Sequence, residues 1–177
     1  MFSNLLPLRP ALRPAIRPAI RLALCAALAL PSLAALPQTA NAQTNCAELD
    51  PNGRDSGGDT HFATTVMAKK FDVVKAMLAC GADVNLKTDE GWTPLHTAAY
   101  WGPADMVRLL IANGADVNAV GDYDGWTPLL MAVSSDDDPE VVKALLEAGA
   151  DKNAKTTYKK QTAYELAQNP KIKALLK

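Results

Sequence analysis

Internal repetition is the feature that most limits what this chain can fold into. Gly91-Trp92-Thr93-Pro94-Leu95-His96-Thr97-Ala98-Ala99 returns 34 residues later as Gly125-Trp126-Thr127-Pro128-Leu129-Leu130-Met131-Ala132-Val133. A second block, Gly81-Ala82-Asp83-Val84-Asn85, returns as Gly114-Ala115-Asp116-Val117-Asn118 and as Gly149-Ala150-Asp151-Lys152-Asn153, at offsets of 33 and 35. Two blocks that recur in the same mutual order, with a period near 33, mark one supersecondary unit copied along the chain. Such a unit cannot bury its apolar side alone, so copies must stack on one another.

Local signals place helices inside each unit. Thr93 and Thr127 each precede a proline, where a threonine side chain caps a helix and Pro94 or Pro128 takes the first helical position, whose N–H has no partner in any case. Gly81, Gly114 and Gly149 follow apolar helical runs and suit the left-handed residue that ends a helix. The Asp and Asn after each glycine bond back to the backbone and fix a turn. The second helices carry a buried stripe at helical spacing: Val73, Val74, Met77 and Leu78, then Met106, Val107, Leu109 and Leu110, then Val141, Val142, Leu145 and Leu146. Asp136-Asp137-Asp138-Pro139-Glu140 reads as a helix start capped by Asp138, and Leu166, Ile172, Leu175 and Leu176 are expected to close the core.

These residues resemble the ankyrin repeat, a turn followed by two antiparallel helices with a Thr-Pro-Leu-His signature. The resemblance implies an all-α solenoid of stacked helix-turn-helix units, about four repeats including two degenerate caps. The units fall at about 59–90, 91–124, 125–159 and 160–177, preceded by a linker or cap segment at 43–58. Leu130 stands where the family has His, and Lys160 where it has the Gly before the Thr. The opening unit lacks both the Pro and the His, which leaves its helix register open before Thr65.

Residues 1–42 read differently from the rest. They hold four arginines, Arg9, Arg13, Arg17 and Arg21, and no acid, then an apolar run at 22–36, and end on Ala40-Asn41-Ala42. Basic, apolar and small residues in that order form the layout of a cleaved export signal, with Gln43 as the new N-terminus. A membrane anchor needs roughly 18–20 apolar residues; this run has 15 and contains Pro31, so no stable anchor is expected after cleavage. Three prolines at a spacing of four disfavour the amphipathic helix of an organelle transit peptide. The expected location is periplasmic or secreted. Removing the segment leaves 14 Lys+Arg against 19 Asp+Glu, a poor balance for phosphate backbones, so no nucleic-acid partner is expected. Two cysteines then remain, and in an oxidising compartment Cys46 and Cys80 are expected to form a disulfide, with the short segment around Cys46 capping the helix that Cys80 ends. The alternative is a buried, reduced Cys80 with Cys46 free.

No constellation for catalysis stands out, and no cofactor or metal is expected. His96 occupies the signature position, where the resemblance implies that the imidazole ties the turn to its neighbours. His61 sits at the ragged first turn as a loop or cap residue. The stretch Asp50-Pro51-Asn52-Gly53-Arg54-Asp55 looks oxygen-rich, but Arg54 and Asp55 occupy the fifth and sixth places, and a calcium loop needs a ligand and then Gly there.

Family members usually hold protein targets on the concave side made by turn tips and first helices. Carried over by position, that side gives Trp92, Trp126, Tyr100 and Trp101, with Asp89, Glu90, Tyr123 and Asp124 at the turn tips. All three tryptophans fall in this set, and Trp and Tyr are the residues that most often dominate interface energetics. Either these rings form one contiguous docking surface, or the Trp after each Gly packs along the neighbouring turn. The preferred reading is an exported, non-enzymatic protein-interaction module. The alternatives are a structural or protective module for an enzyme of the same compartment, and an intracellular adaptor if the signal is misread.

Overall fold

The structure is a computed structural model and describes residues 46–122, 125–135 and 138–177. The export segment at 1–42 lies outside the described residues, as do Tyr123, Asp124, Asp136 and Asp137. After a short α1 (Cys46–Leu49) the helices come in pairs: α2 (His61–Met67) with α3 (Phe71–Ala79), α4 (Pro94–Trp101) with α5 (Ala104–Ala112), α6 (Pro128–Ser135) with α7 (Pro139–Glu147), and α8 (Ala163–Leu166) with α9 (Pro170–Leu175). The first helices stack as a row, α2 on α4 on α6 on α8, while α5 packs on α7 and α7 on α9. The result is an all-α solenoid, with no strand among the described residues beyond two isolated bridges, Arg54 to Thr60 and Lys155 to Thr162.

Each pair forms where local chemistry allows it. Thr93 Oγ1 accepts from the His96 N–H at 3.4 Å and Thr127 Oγ1 from the Leu130 N–H at 3.4 Å, with proline first in both helices. The degenerate first unit keeps its cap without the proline: Thr60 Oγ1 accepts from the Ala63 N–H at 3.0 Å, so α2 begins at His61. At the other end, the second helices close alike. Gly81 donates its N–H to Leu78 O and Ala82 to Met77 O, and the same two bonds recur at Gly114 with Ala115 and at Gly149 with Ala150. These glycines hold φ of +82°, +89° and +89° with open space where a Cβ would go, so the left-handed backbone, and not crowding, calls for glycine.

The core is the sum of the stripes. Val74, Leu95, Met106, Leu110, Leu129, Leu130 and Leu145 are fully buried between units. Leu175 departs from the expected core and is 38 % exposed. One and a half turns of α9 offer a single inward side, and Ile172 and Leu176, four apart, occupy it.

Polar ladders join one unit to the next. Asn85 donates to Gly114 O at 3.1 Å and accepts from the Asp116 N–H at 2.8 Å, and Asn118 does the same to Gly149 and Asp151. Asn52 adds an earlier rung, donating to Gly81 O at 3.2 Å and accepting from the Asp83 N–H at 2.7 Å. The segment before the opening unit therefore joins the same ladder. Cys46, at the start of α1, is disulfide-bonded to Cys80, the C-cap of α3, with Cα atoms 5.4 Å apart.

Lys160 holds φ of +54° where Gly91 and Gly125 hold +78° and +64°. A side chain in this region costs about 1–2 kcal/mol, partly offset by the larger unfolded-state entropy of glycine. Lys160→Gly is expected to raise stability by about 0.5–1 kcal/mol, read as a higher urea midpoint at unchanged slope. A lower midpoint would show that Lys160 contributes contacts that outweigh the strain.

Candidate interaction face

The face made by the first helices and the turns before them is organised around α4. His96, fully buried, is its anchor. Nδ1 accepts from the Thr93 N–H at 3.1 Å, which puts the ring proton on Nε2, and Nε2 donates to Trp126 O at 3.0 Å in the next unit. Burial holds the imidazole pKa below its ordinary value, so the ring is neutral at neutral pH. Arg54 and Lys87 stitch the turns in a similar way. The Arg54 guanidinium reaches Asp89 at 2.9 Å and Lys87 O at 2.6 Å, and the Lys87 ammonium reaches Asp122 at 2.6 Å and Val120 O at 3.0 Å.

Trp92 and Trp126 occupy the same place in the repeat but do different things. The Trp92 ring lies over Gly121 of the next turn, where an added Cβ would come within 2.8 Å of Cε3. It also sits 5.4 Å from the His96 ring, centre to centre, and donates Nε1–H to Glu90 at 3.2 Å. Trp126 packs against the core and borders a separate depression with Tyr158, Gln161 and Leu166. Tyr100 and Trp101, at the end of α4, meet edge to face at 4.7 Å and stay 37 % and 56 % exposed.

Two depressions flank the Trp92–Trp101 ridge. One opens toward α2 and is lined by Asp59, Thr64, Met67 and Glu90 together with the two tryptophans. The other opens toward α6 and adds Tyr100 and Met131 to Glu90, Trp92 and Trp101. Glu90, Trp92, Tyr100 and Trp101 are thus brought together. Asp89 lines neither depression, and Arg54 holds its carboxylate at 2.9 Å. Tyr123 and Asp124 lie outside the described residues. Sequence reasoning did not select Asp59, Met67 or Met131, which enter the face because their units stack beside α4.

Asp59 stands out electrostatically. Partial burial raises its carboxyl pKa above the ordinary range, and repulsion from Asp55, Glu90 and Asp89 adds to the effect. Elsewhere the described residues present no group of three or more His, Cys, Asp or Glu arranged to hold a metal ion, and no helix long and apolar enough to cross a membrane. Asn52 and Arg54, in the oxygen-rich stretch, serve the turn ladder and the Asp89 pair.

A family model described as ankyrin repeats (3 copies) matches residues 60–156. Among curated proteins the chain is similar to Protein phosphatase 1 regulatory subunit 12A of Mus musculus, 45 % identical over 52 residues, which is 29 % of this chain and 5 % of that protein. It is also similar to Notch-regulated ankyrin repeat-containing protein, 38 % identical over 59 residues in Xenopus tropicalis and 37 % over 59 in Homo sapiens. Those matches cover 33 % of this chain and 51 % of each relative, so the chain spans about half the length of the Notch-regulated proteins and far less of the phosphatase subunit.

Proposed function

The chain belongs to the ankyrin-repeat family, and from that premise we propose that it is a non-catalytic module that docks a protein partner on its first-helix face, outside the cytosol. The observation that carries this reading is the Tyr100–Trp101 pair, two large rings held edge to face and left in water between two depressions. Exposed aromatic side chains of this size, set beside pockets, are the usual anchors of protein interfaces. Export is supported by the basic, apolar and Ala40-Asn41-Ala42 layout and by the Cys46–Cys80 bond, since disulfides persist in oxidising compartments such as the periplasm or the extracellular space.

The test joins affinity to stability. Partners captured by the protein from its native exported fraction are identified, and Trp101→Ala is compared with the parent chain. Trp101→Ala is expected to lose about 2 kcal/mol or more of partner affinity, roughly thirtyfold, with a nearly unchanged melting temperature, because more than half of the side chain is exposed. Trp92→Ala is expected to lower both quantities, because its ring also covers Gly121 and flanks His96. Arg108→Ala and Lys143→Ala, on the second helices, change exposed ion pairs and are expected to shift either quantity by no more than about 0.5 kcal/mol. Undiminished partner affinity in Trp101→Ala would place docking elsewhere. Recovery of a chain starting at Met1 from the cytoplasm, with none exported, would remove the location.

A further inference from the structure

The two depressions beside Trp101 differ from an ordinary apolar groove in their charge. Asp59 and Glu90 line the one toward α2, Glu90 lines the other, and no lysine or arginine lines either. Neighbouring cations are already taken: Arg54 is paired with Asp89, and Lys87 with Asp122. Among the described residues, neither Asp59 nor Glu90 has an ion-pair partner, and Glu90 accepts only the indole N–H of Trp92. The carboxylates therefore line the same depressions as two tryptophans, an arrangement that favours a cation over a neutral or acidic group.

Resting on the docking reading above, we propose that the face selects a basic segment of its protein partner, with an arginine or lysine side chain seated against Trp92 and Trp101 and neutralised by Asp59 and Glu90. A guanidinium suits the site well, since it stacks on an aromatic face while its N–H groups reach a carboxylate. Aliphatic neighbours on the same segment would cover Met67 on one side of the ridge and Met131 on the other. Partial burial and the three acids nearby raise the Asp59 pKa and so disfavour its charged form, a local cost that a bound cation would relieve.

The probe is a blocked peptide, acetyl-Arg-Leu-Arg-Leu-Arg-amide, titrated into the purified protein while the indole N–H resonances of Trp92 and Trp101 are followed by NMR. Peptides with Gln or Glu in place of Arg serve as comparisons. Saturable shifts of both resonances with the Arg peptide, at least tenfold weaker with the Gln peptide and absent with the Glu peptide, are expected. The double variant Asp59→Asn with Glu90→Gln is expected to weaken the Arg peptide at least tenfold while melting at the same temperature or higher, and binding by the parent protein is expected to weaken as salt is raised. Equal binding of the Gln peptide, unchanged binding by the double variant, or no saturable shift with the Arg peptide overturns the proposal. So does a shift of the same resonances on simple dilution, which would assign the face to a second copy of this chain. The two readings fail separately: a natural partner that Trp101→Ala loses but the double carboxylate variant keeps leaves the docking module standing and removes its preference for basic segments.

Discussion

Replacing Cys46 and Cys80 together with serine is expected to cost about 4 kcal/mol. The bond closes a loop with a sequence separation of 34, and cross-linking a loop of that size removes about 4 kcal/mol of unfolded-state entropy in the chain-entropy model. The loss should be local first. Stacked units touch only their neighbours, so an unclamped α1 frees the Asn52 rung on Gly81 and Asp83 before it disturbs units further along. Urea unfolding with and without reductant measures the total, and hydrogen exchange locates it, with faster exchange in α3 and little change in α7. Equal stability of the oxidised and reduced protein would refute the assignment of the cap to this bond, and two reactive thiols in exported, denatured protein would refute the bond itself.

His96→Ala is expected to cost about 3 kcal/mol, through a cavity in the stack and two polar groups deprived of their partner. The Thr93 N–H loses Nδ1, and Trp126 O in the following unit loses the Nε2 proton. His96→Leu, which copies Leu130 at the equivalent place, fills much of the volume but restores neither bond, so about half that cost is expected. The imidazole also makes stability depend on pH. Its folded pKa lies below the unfolded value of 6.5, because burial penalises the charged form. Below that value the unfolded chain binds the proton first. Stability from this group is thus complete above pH 6.5 and declines as pH falls toward the folded pKa, by at most about 1.4 kcal/mol per pH unit. Urea midpoints at pH 5 and pH 7 in the parent chain and in His96→Leu isolate the effect, and an equal pH dependence in both would show that this ring is not its source.

How much of the fold could be read in advance follows from how far each rule reaches along the chain. Thr93 as a cap, Pro94 in the first turn and Gly81, Gly114 and Gly149 at helix ends are dictated by the backbone within a few residues, and all appear as expected. The ladder rungs were legible in principle. Asn52, Asn85 and Asn118 are spaced by 33, as are Arg54 with Lys87 and Asp89 with Asp122, because equivalent turn positions lie side by side in a stack. Asn52 escaped notice because its block, Glu48-Leu49-Asp50-Pro51-Asn52, keeps the Asp and Asn of the Gly-Ala-Asp-Val-Asn pattern but lacks the glycine that marks a helix end. Leu175 was misplaced because periodicity does not say how short the last helix is.

The sequence by itself determined the period, the helix ends and the apolar stripes, since each depends on neighbours within a turn or on a position repeated from unit to unit. Only the tertiary structure decided which aromatic rings face water. Trp92 and Trp126 share one place in the repeat, yet the turn beyond Trp92 presents Gly121, which leaves room for the indole, while the turn beyond Trp126 presents Thr156 and Tyr158. Likewise Asp59 and Glu90 stand at opposite ends of the first unit in sequence and are brought together only in the folded stack, beside a tryptophan from a helix to which neither belongs. The environment of such side chains is set one period away, by residues whose chemistry no local pattern constrains.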